Sequence, residues 1–259
     1  METLPGEENP KIHYSFFLRP RSQTASAVVN GSQLYLISGY NTLTAHRALP
    51  SIQAIGLHGP HEEQTIVIDG NKEESYSSRL AAAVALASGG VLLTGGKGME
   101  QEVFLLSGPD LSIWQRRADM RSPRMGHAAV SLQLDGSEVV MVGGGWDRRG
   151  RTLSSVEIFL VSQNVWQEFA SMPSPRADFT LQVRHPQIEG IANNQVMNDK
   201  VTAIGGYSTN GKFSPPADLT IASSQPVWRE WAEGSRRAGF MSTRVSHQWL
   251  QDMCRDVYV

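Results

Sequence analysis

Arg124 to Pro175 read RMGHAAVSLQLDGSEVVMVGGGWDRRGRTLSSVEIFLVSQNVWQEFASMPSP, and Arg176 follows at once. An arginine opens the stretch and an alternating apolar run comes next. Val139-Val140-Met141-Val142 then leads into Gly143-Gly144, and Ser155 to Leu160 into Trp166. Short β-branched runs punctuated by glycine and polar turns read as strands. A strand after the arginine, a strand before the glycines, a strand after them and a strand opened by the tryptophan make a four-stranded meander. Ser174-Pro175-Arg176 then repeats Ser122-Pro123-Arg124.

The unit extends in both directions. Pro20-Arg21 and Ser78-Arg79 begin similar stretches, and the four arginines fall 58, 45 and 52 residues apart. The runs Leu34 to Ile37, Val91 to Thr94 and Val201 to Ile204 end at Ser38-Gly39, Gly95-Gly96 and Gly205-Gly206. Trp114, Trp166 and Trp228 stand 18, 22 and 22 residues beyond Gly96, Gly144 and Gly206. Glu102 to Ser107 and Ala217 to Ala222 supply the intervening strands. A repeat at this period is the first thing to settle, because it decides the fold. Glycine lets backbones approach closely and supplies turn dihedrals closed to other residues, while tryptophan provides bulk between sheets. A single meander cannot bury both its faces, so copies stack, and radial stacking protects their edges.

A strand-ending Gly-Gly, a tryptophan on the last strand and Pro-Arg at the next unit resemble the kelch motif, best from Arg124 to Pro175, where Gly126-His127-Ala128 also resembles its first strand. The resemblance implies an all-β fold: a kelch-type β-propeller over residues 11–243, with four four-stranded blades at about 21–78, 79–123, 124–175 and 176–235. The first is degenerate, with Ser38-Gly39 for Gly-Gly and no tryptophan before Arg79, although Ser51 to Leu57 and Thr65 to Ile68 can still form its outer strands. The fourth carries a polar insertion, His185 to Lys200, expected as a loop. Kelch propellers usually have more than four blades, so residues 11–18 and 237–243 are expected to share a partial fifth. Residues 1–10 are expected to be flexible. In the tail, 244–259, Val245, Trp249, Leu250, Met253 and Val257 have helical spacing, which predicts a short C-terminal helix.

Composition narrows the function. The chain has 259 residues, 40% hydrophobic, with 23 Lys and Arg against 25 Asp and Glu. It can bury a core, and it has no overall field that would attract nucleic acid or an anionic membrane. The opening residues, with Glu2, Glu7 and Glu8, lack a signal peptide's pattern, and Leu80 to Leu93 is shorter than the roughly 20 residues of a membrane helix. Cys254, the single cysteine, permits no internal disulfide. A cytoplasmic location is expected, with no nucleic-acid or membrane partner.

Recognisable catalytic chemistry is sparse. Gly95-Gly96-Lys97 has Val91 and Gly98 where a phosphate-binding loop needs glycine and Ser or Thr. The histidines at 13, 46, 58, 61, 127, 185 and 247 show no metal-ligand spacing, and His127 reads as structural. Cys254 and Tyr258 are the only neighbours of the kind cross-linked in a kelch-like copper oxidase, and they lie in the tail. No cofactor and no metal is expected.

The most distinctive loop is Gly145-Trp146-Asp147-Arg148-Arg149-Gly150-Arg151, between the second and third strands of its blade. Equivalent loops hold Tyr40, His46 and Arg47, then Lys97 and Glu100, then Tyr207, Lys212 and Phe213. In a meander these loops and the blade-to-blade connections emerge on one face. Tryptophan and arginine together mark interface hot spots. The plainer reading is solvated hairpins whose arginines pair with Asp147 or Glu102. Four such loops on one face point to a non-catalytic scaffold or adaptor that holds another protein by an acidic or extended peptide. The alternatives are a carbohydrate-active or isomerising enzyme with its site at the central channel, and a structural subunit whose incomplete blade is finished by a partner or a second copy.

Overall fold

Four antiparallel sheets carry the described residues of this computed structural model, which are 25–29, 31, 33–39, 51–56, 63–67, 78–108, 111, 113–184, 200–221 and 226–231. Blade 1 is β1 (Ala25–Val29), β2 (Gln33–Ile37), β3 (Ser51–Gly56) and β4 (Glu63–Val67). Blade 2 is β5 (Ala82–Ala85), β6 (Val91–Thr94), β7 (Val103–Ser107) and β8 (Ile113–Arg116). Blade 3 is β9 (Ala128–Leu134), β10 (Ser137–Gly143), β11 (Val156–Leu160) and β12 (Val165–Phe169). Blade 4 is β13 (Ala177–Arg184), β14 (Lys200–Tyr207), β15 (Ala217–Thr220) and β16 (Val227–Glu230). Strands pair in chain order within every sheet, and no helix occurs among the described residues.

The sheets stand in a propeller arrangement, with β1 packed on β5, β5 on β9 and β9 on β13. In blades 2, 3 and 4 burial falls from the middle strands outward, and the sequence shows why. The second strands are the most apolar: all four residues of β6 are buried, as are Val139 to Val142 of β10. Fourth strands such as Ile113-Trp114-Gln115-Arg116 keep polar residues and are largely exposed, which discourages edge pairing. Three apolar cores fill the spaces between blades 1 and 2, 2 and 3, and 3 and 4. Each inner blade therefore has one apolar face toward the preceding blade and one toward the following blade.

The glycine pair and the tryptophan both act between blades. Two successive residues have positive φ directly after the second strand in blades 1 to 3 and within the end of β14 in blade 4: Ser38 and Gly39 (58° and 93°), Gly95 and Gly96 (56° and 100°), Gly144 and Gly145 (60° and 87°), Gly205 and Gly206 (76° and 86°). The second residue's N–H donates to the first residue of the next blade: Gly39 to Ser78 O at 3.1 Å, Gly96 to Arg124 O at 2.9 Å and Gly145 to Arg176 O at 2.8 Å. A Cβ on Gly144 would lie 2.4 Å from that same Arg176 carbonyl, so the contact needs both the left-handed backbone and the missing side chain. Trp166 Nε1 donates to Ala118 O at 2.7 Å, and Trp228 Nε1 to Ala170 O at 2.8 Å. Each acceptor stands four residues after the preceding blade's tryptophan, so the indoles stitch neighbouring outer strands together.

These bonds correct two registers expected from the sequence. Ser78, and not Arg79, occupies the place of Arg124 and Arg176, because it is Ser78 that receives the glycine N–H of the preceding blade. In blade 3 the turn pair is Gly144-Gly145, since Gly143 belongs to β10. The expected β-strands of the first blade and the three tryptophan-bearing strands are present. Arg21, the partial blade at 11–18 and 237–243, the flexible 1–10, the helical tail 244–259 and the insertion at 185–199 lie outside the described residues.

Candidate functional site

The loops after the second strands lie beside the blade-to-blade connections, and short bridges record it: Arg79 pairs with Lys97, Met125 with Trp146, Trp146 with Thr152, and Tyr207 with Phe213. Blades 2, 3 and 4 thus each present one loop on a common face. Two buried arginines hold these loops in blades 3 and 4. Arg124 donates to Gly144 O, Ser155 O and Ser155 Oγ, each at 2.9 Å, and to Glu157 Oε1 at 2.8 Å. Arg176 donates to Gly205 O at 3.3 Å and Pro215 O at 2.8 Å. Burial lowers both guanidinium pKa values, that of Arg176 to about 10.

In the blade 3 loop Asp147 is buried and organises the turn. Its carboxylate accepts from the backbone N–H of Arg149 at 2.8 Å and of Arg151 at 2.9 Å, and from Arg151 Nε at 2.8 Å. The Arg151 N–H, with support from the Arg151 side chain and the Arg149 N–H, holds the Asp147 carboxyl below its ordinary range. Arg148 reaches the neighbouring blade, 3.7 Å from Glu100 and 3.3 Å from Gln101 Oε1. Arg149 and Arg151 are exposed. On the other side Thr152 N donates to Thr209 Oγ1 at 2.7 Å, and Thr209 N returns a bond to Thr152 Oγ1 at 3.0 Å. The three loops of blades 2, 3 and 4 are therefore tied side by side.

Trp146 is half-buried and not the exposed anchor that its loop position suggests. Its ring fills the space that a Cβ on Gly126 would occupy, 2.3 Å away, and meets Tyr207 edge-on with centroids 5.7 Å apart. Tyr207 in turn donates to Asp178 Oδ2 at 3.3 Å. Burial raises the Asp178 carboxyl, partly offset by that hydroxyl, and burial beside Asp178 raises the Tyr207 phenol. Lys97, Lys212 and Phe213 are exposed, Phe213 at 47%. Tyr40, His46 and Arg47 lie outside the described residues.

Gln101, Asp178 and Thr209 were not among the residues singled out from the sequence, yet together with Glu100 they fix the ones that were. Asp178 had a legible signal. It occupies the repeat position of Gly126 and Leu80, and the three share positive φ and a relay of bonds, Gly126 N to Leu80 O at 2.7 Å and Asp178 N to Gly126 O at 3.0 Å. The plainer reading of the arginines holds for Arg151, paired with Asp147, whereas Glu102 lies 4.0 Å from Arg116 instead. His127 is structural, as expected: it is buried with Nε2 2.9 Å from Thr94 Oγ1.

Repeated meanders clamped by a glycine pair and an interblade tryptophan define a propeller built from kelch-type units. The family profile described as the kelch motif matches residues 138–173. Alpha-scruin of Limulus polyphemus is 30% identical over 120 residues, which are 46% of this chain and 11% of that protein. Beta-scruin of the same animal is 36% identical over 123 residues, 47% of this chain and 12% of its own length. The chain thus spans about a tenth of the length of the curated relatives it matches. Fold and matches together support a kelch-repeat β-propeller family. Propellers of this family are generally protein-interaction modules and generally not enzymes.

Proposed function

We propose that this chain is a scaffold or adaptor that holds an acidic or extended segment of another protein on the face formed by the loops of blades 2 to 4. The observation that carries the reading is the company of Phe213. A 47% exposed aromatic ring sits on the loop that also bears exposed Lys212, and that loop is tied through Thr209 and Thr152 to the one bearing Arg149 and Arg151. Exposed cations around an exposed aromatic suit a peptide that alternates carboxylates with apolar side chains. Lys97 and Arg148 extend the cationic strip across blade 2. Trp146 and Asp147 support it from beneath, since one fills the gap over Gly126 and the other closes the turn. A cytoplasmic setting accords with Cys254 as the single cysteine.

The test is comparative affinity purification of the chain and of its Arg149→Ala, Lys212→Ala, Phe213→Ala triple variant, with mass spectrometry of what each retains. All three side chains are exposed, so the melting temperature should hold. Proteins retained by the natural chain should be lost from the variant, and their binding should weaken with salt. Identical recoveries would overturn the assignment.

A further inference from the structure

Arg124 and Arg176 occupy the same place in successive repeats, yet only one of them has a counter-charge. Both are 0% exposed, and each follows a Ser-Pro dipeptide, Ser122-Pro123 and Ser174-Pro175. In blade 3 Glu157 Oε1 accepts from the Arg124 guanidinium at 2.8 Å and from the Ser122 N–H at 3.0 Å. One anionic oxygen thus stands within hydrogen-bond distance of both the buried arginine and the backbone two residues before it. In blade 4 the counterpart of Glu157 is Ala217, because their register partners, Val142 and Ala203, both stand two residues before the glycine pair. The counterpart of Ser155, whose hydroxyl also accepts from Arg124, is Pro215, which has no hydroxyl. Arg176 keeps the carbonyls of Gly205 and Pro215 and makes no ion pair among the described residues.

A buried cation without an anionic partner is costly. Burial lowers the Arg176 pKa, and Glu230 offsets this only in part, since Glu230 is exposed and accepts a hydrogen bond from Ser174 Oγ. Ser174 is placed to bring in what is missing. It is half-buried between exposed Pro173 and Pro175, so an enzyme can reach it, and Ser-Pro is the dipeptide that proline-directed kinases modify. A phosphate on Oγ can fold back onto its own N–H, which is the repeat counterpart of the amide that Glu157 accepts from in blade 3. An oxygen is thereby carried to where blade 3 holds the carboxylate, and the side chain that would block it is reduced to that of Ala217. Phosphoserine carries a charge of about −1.5 to −2, and opposite an arginine it forms charge-assisted hydrogen bonds.

We propose that Ser174 is a phosphorylation site whose phosphate supplies the counter-charge that Arg176 lacks. Ser174 Oγ attacks the γ-phosphorus of a nucleoside triphosphate held by a proline-directed protein kinase, the kinase's base takes the hydroxyl proton, and the nucleoside diphosphate leaves. Glu230, losing its donor, turns into water. Ser122 is the internal control, because Glu157 already fills the corresponding place and a phosphate there meets a like charge. The full chain carrying Ser174→phosphoserine, installed by codon suppression, should melt about 2–4 °C above the unmodified chain. Ser122→phosphoserine should melt below it. In an Arg176→Gln background Ser174→phosphoserine should bring no gain, and that comparison is made within the background, so it holds even if Arg176→Gln is itself less stable. Incubation of the natural chain with a proline-directed kinase and ATP should place phosphate on Ser174, located by peptide mass spectrometry. No phosphate on Ser174 would overturn the proposal. So would a melting temperature that Ser174→phosphoserine leaves unchanged or lowers, a gain that survives Arg176→Gln, or an equal gain from Ser122→phosphoserine.

Discussion

Glu157→Ala copies into blade 3 what blade 4 already has. The registers place Glu157 opposite Val142 and Ala217 opposite Ala203, so Ala217 is the repeat counterpart of Glu157. Glu157 is 1% exposed, pairs with the fully buried Arg124 at 2.8 Å, and accepts backbone N–H groups from Arg121 at 2.8 Å and Ser122 at 3.0 Å. Removing one partner of a buried pair strands the other charge, which typically costs about 3–5 kcal/mol. The two amides add little, because Arg121 is exposed and Ser122 half-exposed, so water can replace the carboxylate. Arg124 would keep Gly144 O, Ser155 O and Ser155 Oγ, which favours the lower end, near 3 kcal/mol. That is a large share of the roughly 5–15 kcal/mol of a folded protein. Urea unfolding followed by tryptophan fluorescence measures it directly. Glu157→Gln should fall between, since the amide oxygen still accepts from Arg124. A loss below about 1 kcal/mol for Glu157→Ala would refute the reasoning, and would mean that backbone and hydroxyl oxygens suffice for the buried Arg124 guanidinium.

Burial, with Arg124 nearby, lowers the His127 pKa from 6.5 to about 3. Between those values the unfolded chain binds the proton and the folded one does not, so stability falls as pH drops through 6.5 and the loss levels off near 3. Unfolding free energies from urea titrations at pH 7 and pH 5 should differ by about 2 kcal/mol from this group, and His127→Gln should remove that part of the difference. Trp166→Ala should cost about 3–5 kcal/mol. Trp166→Phe, which retains the ring against Phe159 but forfeits the bond to Ala118, should cost about 1–2 kcal/mol, measured by thermal melts.

The strands were legible because their burial is written in composition: Val91 to Leu93 and Val139 to Val142 are apolar without a break, as a strand covered on both faces must be. The tryptophan interval was legible too, for the indole must reach a carbonyl of the preceding blade. Register was harder. Arg79 attracts the eye as an arginine, but the structural position belongs to Ser78, fixed by a backbone bond that no residue type marks. Three glycines at 143–145 hide which two carry the turn, and only the N–H of Gly145 decides it. Trp146 looked exposed because its loop is polar. Its cover comes from Gly126 and Tyr207, 20 residues before and 61 after, and such contacts have no local signature.

The repeat arginine links the fold to the face it presents. Arg124 binds the carbonyls of Gly144 and Ser155, the two stems of the loop that carries Trp146 to Arg151. Arg176 binds those of Gly205 and Pro215, the stems of the loop that carries Tyr207 to Phe213. A single buried guanidinium closes each loop at its base, so the exposed side chains above are held on fixed stems and less ordering entropy remains to be lost on binding. Blade 2 has Ser78 in that place, and its hydroxyl reaches only Lys97 O at 3.2 Å and Arg79 O at 3.3 Å. The loop bearing Lys97 therefore lacks the two-stem closure. Among the three described loops it should adapt to a partner, while those of blades 3 and 4 set the geometry the partner must match.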